Sequence, residues 1–392
     1  MSSIPSASSL YHNPLASTFL STPSNEITSN TIFNFHKSLP TYDSPSKLIV
    51  LPIIGSSLGL KSLYIKDESH RFGNLPSFKP LGLSWAIRNG IIAELSEESP
   101  VQKDITTADL AAKARAAQTK LIAASDGKLG MMVARLGKLF GVEGINTRIF
   151  ISEDTETGVA EAVRAEGAEA IVVDGDFEKT TREAWLHSVA VDGVLVDIDE
   201  DENYEDIPKV CSLLERLAFA DLVKQWIVEG YSTIFKELDE QLDGKRPDLI
   251  VVPVGIGGLA QAAVTHYKAA SAGDFSTRIL TVEPETAAAL HASLKNGELQ
   301  AVQTGDTIMK GMNYGPVAGA AWPILKAGVD FSTVVDDAAA INAILELKGD
   351  GLEVGTCGGA VLAALKRLLA DESLGRALGL ETVVLINTEG AK

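Results

Sequence analysis

The sequence predicts an α/β fold in which helices cover both faces of a parallel sheet. Alanine-rich segments of helical period, such as Gly130–Phe140 and Thr157–Glu166, alternate with short β-rich runs. A chain of 392 residues, 45% of them hydrophobic, can fill two cores, which excludes a disordered or fibrous protein. The predicted strands are Ser62–Lys66, Leu121–Ser125, Thr147–Ile151, Ala170–Val173, Leu249–Val254, Arg278–Val282 and Thr382–Ile386.

The balance of charge limits the partners that the protein can have. Its 34 Lys and Arg residues against 52 Asp and Glu residues give a formal net charge of −18. Such a charge repels phosphate backbones and anionic lipid surfaces. The longest apolar stretch, Leu249–Val264, is broken by a proline and several glycines, and it is shorter than the roughly 18 to 20 residues that cross a bilayer. We therefore expect neither nucleic acid nor a membrane as a partner.

Cysteine usage and the N-terminal composition indicate the compartment. Cys211 and Cys357 lie far apart and show no metal-binding spacing, which predicts neither a disulfide scaffold nor a metal site. The first 36 residues contain no Lys or Arg, so they do not resemble a secretory or mitochondrial leader. We expect residues 1–40 to form a loosely ordered arm of a cytoplasmic protein. The acidic stretch Asp197–Asp206 lacks the ligand spacing of a calcium loop, and we interpret it as a solvated loop.

A glycine-rich turn follows the predicted strand at Leu249–Val254. It contains Gly255, Gly257 and Gly258 and leads into a helix. Bare N–H groups and the positive end of a helix dipole suit an anion, most often a phosphate. The turn also matches a GxGxxA dinucleotide fingerprint, with Glu283 as the ribose-binding acid. A dinucleotide and simple tight packing remain as alternatives.

Two further strand ends carry groups with possible chemistry. Asp126 follows the strand Leu121–Ser125, so its carboxylate could project into a cleft, although a helix N-cap is an equally ordinary role. Lys79 lies between Phe78 and Pro80 ahead of an apolar stretch. A partly desolvated lysine amine can attack an aldehyde and form a Schiff base, while an ordinary surface lysine is the alternative.

Taken together, these groups are the parts that a pyridoxal phosphate site needs. Lys79 supplies an imine-forming amine, and Asp126 supplies an acid or base. The turn at residue 255 supplies a phosphate holder, and the polar strand end Asn387–Gly390 supplies a partner for the ring nitrogen.

Six motifs in this order, SFKPLG, AASDGKLG, VGIGG, VEPETAAAL, DTIMKGMNYG and INTEG, resemble the diaminopropionate ammonia-lyases. These are fold type II pyridoxal phosphate enzymes, which are similar to serine/threonine dehydratases and to tryptophan synthase β. The resemblance covers residues 45 to 390. It implies a large cofactor-binding domain (residues 41–85 and 191–392), a small α/β domain (residues 86–190) and a homodimer. It also implies elimination of ammonia from 2,3-diaminopropionate or a related amino acid, giving pyruvate and ammonia.

The resemblance also implies residue roles. Lys79 would bind the cofactor's aldehyde and remove the substrate's α-proton, and Asp126 would be a second acid or base. Phe78 would lie beside the ring, and Thr388, or less favourably Asn387, would bind the ring nitrogen. The implied cofactor-binding residues are Phe78, Lys79, Lys128, Gly255, Ile256, Gly257, Gly258, Leu259, Asn387 and Thr388; no metal ligand is implied.

The chain departs from the family pattern at three places, one of which is FEKTTR, where Glu178 and Lys179 stand for the family's acidic pair. Lys128 and Leu129 stand where the family's DGNHG has asparagine and histidine, and residues 355–360 read GTCGGA instead of SGESGA. These changes leave room for β-elimination or β-replacement on another amino acid, or for an inactive cofactor-binding homologue. On the residues alone, a dinucleotide-dependent oxidoreductase is a further alternative.

Overall fold

The computed structural model describes residues 10–21, 29–42, 44–73, 75–95, 105–125, 127–196, 211–269, 277–371, 373–375 and 377–391. Its strands are β1 (Leu10–His12), β2 (Lys47–Val50), β3 (Ser62–Asp67), β4 (His70–Arg71), β5 (Leu75–Pro76), β6 (Leu121–Ala124), β7 (Gly144–Ser152), β8 (Ala168–Val173), β9 (Val194–Leu195), β10 (Leu249–Pro253), β11 (Arg278–Pro284), β12 (Phe331–Val335) and β13 (Thr382–Asn387).

The α-helices of the same residues are α1 (Ser29–Ser38), α2 (Pro52–Ser57), α3 (Lys79–Leu95), α4 (Thr107–Ala117), α5 (Lys128–Leu139), α6 (Val159–Ala165), α7 (Phe177–Val191), α8 (Cys211–Gly230), α9 (Ser232–Gln241), α10 (Gly258–Tyr267), α11 (Ala289–Asn296), α12 (Trp322–Gly328), α13 (Asp337–Gly349) and α14 (Thr356–Ala370). The strands predicted from the sequence are all confirmed, as β3, β6, β7, β8, β10, β11 and β13.

The chain divides into two compact units. Unit 1 comprises Met1–Asn30, Asp43–Phe78 and Ser232–Lys392, and unit 2 comprises Thr31–Tyr42 and Lys79–Tyr231. The predicted small domain, residues 86–190, falls inside the range of unit 2, whose bounds are wider on both sides. The domain division itself stays a prediction.

Unit 1 is built on a sheet of seven strands in the order β1-β12-β11-β10-β13-β3-β2. The five inner strands are parallel, and the edge strands β1 and β2 run antiparallel to their neighbours. Strand β10 and helix α14 contribute fully buried side chains to one apolar cluster, among them Leu249 and Val361. Because the inner strands are parallel, their carboxyl ends meet at one edge, where ligands bind in open α/β sheets.

Unit 2 is built on a parallel sheet of four strands in the order β8-β7-β6-β9. Within helix α3, every residue from Pro80 to Ile92 is buried. A Cβ on Gly82 would lie 2.5 Å from the carbonyl oxygen of Ile227 in α8. Because Gly82 has no side chain, the backbones of α3 and α8 can pack in direct contact, which stabilises the position of α3 in unit 2.

The N-terminal segment contains regular structure that its composition does not predict. In place of a loosely ordered arm, Leu10–His12 pairs with β12, and α1 begins at Ser29. Within unit 2, the imidazole Nε2 of the buried His36 lies 3.0 Å from the carbonyl oxygen of Leu81. A few apolar side chains, such as the buried Phe33, order a segment that is otherwise polar.

Two sites predicted from the sequence lie outside the described residues. These are Asp126 and the acidic stretch Asp197–Asp206. Across the described ranges, no helix combines the length and the hydropathy that spanning a bilayer requires.

Candidate active site

The turn after β10 in unit 1 exposes bare backbone at the sheet edge. Gly257 has φ +102°, which an L side chain rarely adopts, and α10 begins at the next residue. A Cβ on Gly255 would lie 3.0 Å from Cδ2 of Tyr314, and one on Gly257 would lie 2.9 Å from Cδ1 of Leu325. Both glycines are therefore required by conformation or by space. The N–H groups at the start of α10 lie at this turn, where a phosphate would be stabilised.

Ile256 and Leu259 complete the predicted cradle. Ile256 lies between the two glycines, and its carbonyl oxygen accepts a hydrogen bond from the N–H of Ala318 at 2.9 Å. Leu259 is buried in the first turn of α10. The hydrogen bond of Ile256 and the burial of Leu259 therefore stabilise the position of the turn.

The end of β13 lies in the same sheet. Asn387 is fully buried, and its Nδ2 donates to Oδ1 of Asp67 at 2.9 Å. Its carbonyl oxygen accepts from the N–H of Glu68 at 2.8 Å. Thr388 follows, 9% exposed. Because an amide donor of Asn387 is already bound, the hydroxyl of Thr388 is the better candidate for a ring nitrogen.

Glu389 joins this strand end to helix α14. Its Oε1 accepts hydrogen bonds from Oγ1 of Thr356 and from the N–H of Cys357, both at 2.9 Å. Burial, and then the charge of Glu389, raise the pKa of the Cys357 thiol well above its usual value. The Cys357 thiol is therefore protonated at neutral pH. Gly311 lies beside this thiol, since a Cβ on Gly311 would lie 3.2 Å from the Sγ of Cys357.

Gly311 also connects the strand end to the glycine turn. Its carbonyl oxygen lies 3.2 Å from the position that a Cβ of Gly255 would take. Gly255, Gly311, Cys357 and Glu389 are thus consecutive neighbours in unit 1. The structure brings the predicted phosphate turn and the predicted strand end into one region, and it adds Gly311 and Cys357 to it.

Glu283 has a different place from the one that a dinucleotide site requires. Its two carboxylate oxygens accept hydrogen bonds from the N–H groups of Leu290 and His291, at 2.8 and 2.7 Å. Burial raises the pKa of Glu283 to about 8, although these hydrogen bonds act in the opposite direction. The carboxylate caps the first turn of α11 and is fully buried. The interpretation of Glu283 as a ribose-binding acid is therefore wrong.

Phe78 and Lys79 follow the β4–β5 hairpin in sequence. Phe78 is half-buried in unit 1, and the preceding Ser77 has φ +69°, an unusual conformation for a residue other than glycine. The N–H of Ser77 donates to the carbonyl oxygen of Ser69 at 2.8 Å. Lys79 is the first residue of α3 in unit 2 and is also half-buried. The lysine thus stands at the start of the buried helix of its unit.

Ser125 and Lys128 flank the position of Asp126 in unit 2. Ser125 is fully buried, and its Oγ accepts hydrogen bonds from the N–H groups of Gly127 and Gly130, at 3.2 and 2.8 Å. Lys128 is the first residue of α5 and is exposed. The hydroxyl of Ser125 therefore shapes this turn, a role that the sequence alone does not predict.

Unit 1 also contains a buried ionic cluster that the sequence alone does not predict. Arg71 binds Glu237 with two nitrogens, both at 2.7 Å, and Lys66 Nζ donates to the same carboxylate at 2.8 Å. Arg71 also binds both carboxylate oxygens of Glu68 at 2.7 Å. The four side chains are at most 3% exposed. The cluster anchors the chain between β3 and β4, directly before the hairpin that leads to Phe78.

Comparisons with known proteins identify the family. Residues 40–389 match the sequence model of a family described as pyridoxal-phosphate dependent enzyme. The chain belongs to this family. It is 29% identical over 384 residues to diaminopropionate ammonia-lyase of Salmonella typhimurium, a match that spans 92% of this chain and 88% of that protein.

Solved structures of the pyridoxal-phosphate dependent enzymes share the fold. Diaminopropionate ammonia-lyase of Escherichia coli, in complex with D-serine, superposes with a TM-score of 0.75 at 22% identity, covering 97% of this chain and 93% of that one. Maize serine racemase gives a TM-score of 0.67 at 21% identity, covering 94% of each chain. This chain therefore has the fold type II architecture, as predicted.

Family membership makes pyridoxal phosphate the cofactor, and the residues of unit 1 fit its phosphate end. The turn at Gly255–Gly258 has no side chain at three of its four positions, and it lies at the N-terminus of the 10-residue helix α10. This is the arrangement that accepts a phosphate through backbone N–H groups. In the described part of the chain, no cluster of three or more His, Cys, Asp and Glu side chains could hold a metal ion.

Proposed function

We propose that this protein is a pyridoxal phosphate-dependent lyase that eliminates ammonia from 2,3-diaminopropionate or a closely related amino acid. The observation that carries this proposal is the similarity to diaminopropionate ammonia-lyase of Salmonella typhimurium over 92% of the chain. The products would be pyruvate and ammonia. When bound, the cofactor supplies an electron sink that stabilises the negative charge left on the α-carbon of an amino acid.

The proposed roles of the residues follow their chemistry. Lys79 holds the cofactor's aldehyde and serves as the base that takes the α-proton, since a lysine amine is both a nucleophile and a base. Gly255, Ile256, Gly257, Gly258 and Leu259 hold the phosphate. Thr388 binds the ring nitrogen, with Asn387 fixed beside it, and Phe78 borders the ring.

Asp126 is proposed as the acid that protonates the leaving amine. Ammonia leaves poorly as an amide anion, so the elimination of a β-amino group needs a proton at that nitrogen. A carboxylic acid whose pKa is raised by a dry pocket can provide one. The exposed Lys128 nearby is proposed to lie beside the cofactor's phenolic oxygen.

The departures at Lys128 and at residues 355–360 support one alternative within the same chemistry. A cation near the phenolic oxygen, together with a first turn of α14 that carries Cys357, could favour another β-substituted amino acid. Elimination from serine or threonine, or β-replacement, is therefore the second candidate function. A homologue that binds the cofactor without turnover is the third.

The first test compares the wild-type protein with Lys79→Ala. We expect the wild type to show a visible cofactor absorption band and to release pyruvate from 2,3-diaminopropionate faster than from L-serine or L-threonine. Lys79→Ala should remove the band and lower the rate at least about 10³-fold. Lys61→Ala is the matched control, because that lysine is 74% exposed and its ion pair is with the exposed Glu381. A band that survives Lys79→Ala would refute the role of Lys79.

The same experiment separates the candidate functions. Faster turnover of L-serine or L-threonine would favour the second candidate, and a Lys79-dependent band without turnover would favour the third. We also propose a homodimer in the cytoplasm, on the family resemblance. Sedimentation equilibrium of the purified protein tests the dimer, and a mass of 41.5 kDa would contradict it.

A further inference from the structure

Thr388 lies between two residues that are anchored to different elements of unit 1. On one side, Asn387 donates from Nδ2 to Asp67 at the end of β3, at 2.9 Å. On the other side, Glu389 accepts from Thr356 and Cys357 in the first turn of α14. The backbone of Thr388 is thus held from both sides.

The first turn of α14 has room for these two side chains because of two glycines. A Cβ on Gly355 would lie 2.5 Å from Cγ of Glu389, and a Cβ on Gly358 would lie 2.3 Å from Oδ1 of Asn387. Real Cβ atoms do not approach other atoms so closely. A side chain at either position would displace the strand end from the helix.

The contact between Glu389 and α14 is favourable in charge as well as in shape. The N–H groups of a helix N-terminus carry partial positive charge and lack intrahelical acceptors. The Glu389 carboxylate accepts a hydrogen bond from one of these N–H groups, that of Cys357, and another from the Thr356 hydroxyl. In addition, the N–H of Gly355 donates to the backbone carbonyl oxygen of Glu389 at 3.1 Å. The strand end is therefore bound to the helix through side chain and backbone.

We propose that Glu389 is a positioning residue for the cofactor: by binding the first turn of α14, it fixes Thr388 so that the threonine hydroxyl faces the ring nitrogen of pyridoxal phosphate. This inference rests on the proposed function, because it requires Thr388 to bind the ring. The amide of Asn387 supports it, since one of its two donor hydrogens is already bound to Asp67.

The test uses the holoenzyme and the variants Glu389→Ala and Glu389→Gln. Alanine removes the acceptor, whereas glutamine keeps an oxygen that can accept from Thr356 and Cys357. We expect Glu389→Ala to weaken pyridoxal phosphate binding about ten- to hundredfold, the equivalent of one charge-assisted hydrogen bond. It should also shift the cofactor's absorption maximum, and Glu389→Gln should restore both properties in large part.

A purely structural role predicts a different pattern. In that case Glu389→Ala would lower the melting temperature but leave the absorption maximum and the cofactor affinity unchanged well below that temperature. Thr388→Val, which removes the hydroxyl and keeps the shape, should reproduce the spectral shift of Glu389→Ala. If Thr388→Val shifts the spectrum and Glu389→Ala does not, the inference is wrong.

The control Glu381→Ala lies on the same chain segment, directly before β13. Its carboxylate is 66% exposed, so its loss should leave the absorption maximum and the affinity as in the wild type. Failure of the proposed function is distinguishable from failure of this inference. A wild type without a Lys79-dependent band refutes the function, whereas a normal wild-type band that is insensitive to Glu389→Ala refutes only the role of Glu389.

Discussion

Glu237 neutralises two buried cations at once. Arg71 and Lys66 both bind its carboxylate, and the side chains of Glu237 and Lys66 are 0% exposed. Burial alone would raise the pKa of Glu237, but the charge of Arg71, its hydrogen bonds and the charge of Lys66 lower it to about 2. Because the pKa is lower in the folded state than its ordinary value of 4.5, ionised Glu237 stabilises the fold above that pH.

We predict that Glu237→Gln lowers the free energy of unfolding by about 3 to 5 kcal/mol at pH 7, because it leaves Arg71 and Lys66 with one fewer carboxylate. The deficit should shrink as the pH falls from about 4.5 to 2, where wild-type Glu237 itself becomes protonated. Urea unfolding at several pH values measures both effects. Glu381→Gln, which breaks an exposed pair with Lys61, should cost less than about 1 kcal/mol. Equal urea midpoints for the two variants at pH 7 would contradict the prediction.

Single residues were predictable from the sequence where their local pattern carries chemistry. Lys79 between an aromatic residue and a proline, and the glycines after a buried strand, are such patterns. The cluster around Glu237 was not predictable, because Arg71 and Glu237 are separated by 166 positions. A glutamate on an amphipathic helix normally faces solvent. Only the folded structure shows that Arg71 and Lys66 bind Glu237.

At the scale of elements, the sequence predicted most directly the strands that form a continuous apolar run. β10 is an example, since all five of its residues are buried. The edge strand β1 was missed, because Leu10–His12 is short and its partner β12 lies at residues 331–335. β9 was missed for a similar reason, since only Val194 and Leu195 pair with β6. Short strands depend on tertiary pairing rather than on a local pattern.

The turn after β10 allows a test of the phosphate cradle as an element. We predict that Gly257→Ala destabilises the apoprotein by more than Gly297→Ala and weakens pyridoxal phosphate binding at least about tenfold. Both glycines have positive φ, +102° and +74°, but a Cβ at Gly257 would lie 2.9 Å from Leu325, and one at Gly297 would meet nothing within 4 Å. Gly297→Ala, at the C-terminus of α11, should therefore cost only about 1 kcal/mol of backbone strain.

Urea unfolding of the apoproteins and titration with pyridoxal phosphate give the two quantities. Both substitutions place a side chain at positive φ. The difference between the two variants in unfolding free energy therefore measures the contact with Leu325, and the difference in cofactor affinity measures the loss of the phosphate-binding turn. If Gly257→Ala binds the cofactor as tightly as Gly297→Ala does, the turn does not hold the phosphate.

At the scale of the whole molecule, an excess of carboxylates acts against the compact state. The net charge of −18 must lie mainly on the surface, because the buried Glu68 and Glu237 are matched by Arg71 and Lys66 and burial raises the pKa of Glu283 to about 8. Like charges that are close together in the folded protein move apart on unfolding. Sodium chloride screens this repulsion, since the Debye length is about 10 Å at 0.1 M. Exposed ion pairs such as Arg115–Glu143 are weakened too, but each contributes little.

We therefore predict that raising sodium chloride from 0.02 to 0.3 M increases the free energy of unfolding at pH 7.5 by about 1 kcal/mol. The same change at a pH close to the pI of about 4.8 should have no stabilising effect, because the net charge there is near zero. Urea unfolding at the two pH values and the two salt concentrations measures the four free energies. An equal gain at both pH values would mean that salt acts on apolar burial or on a bound ion rather than on net charge. A loss at pH 7.5 would mean that attractive surface pairs outweigh the repulsion that the composition predicts.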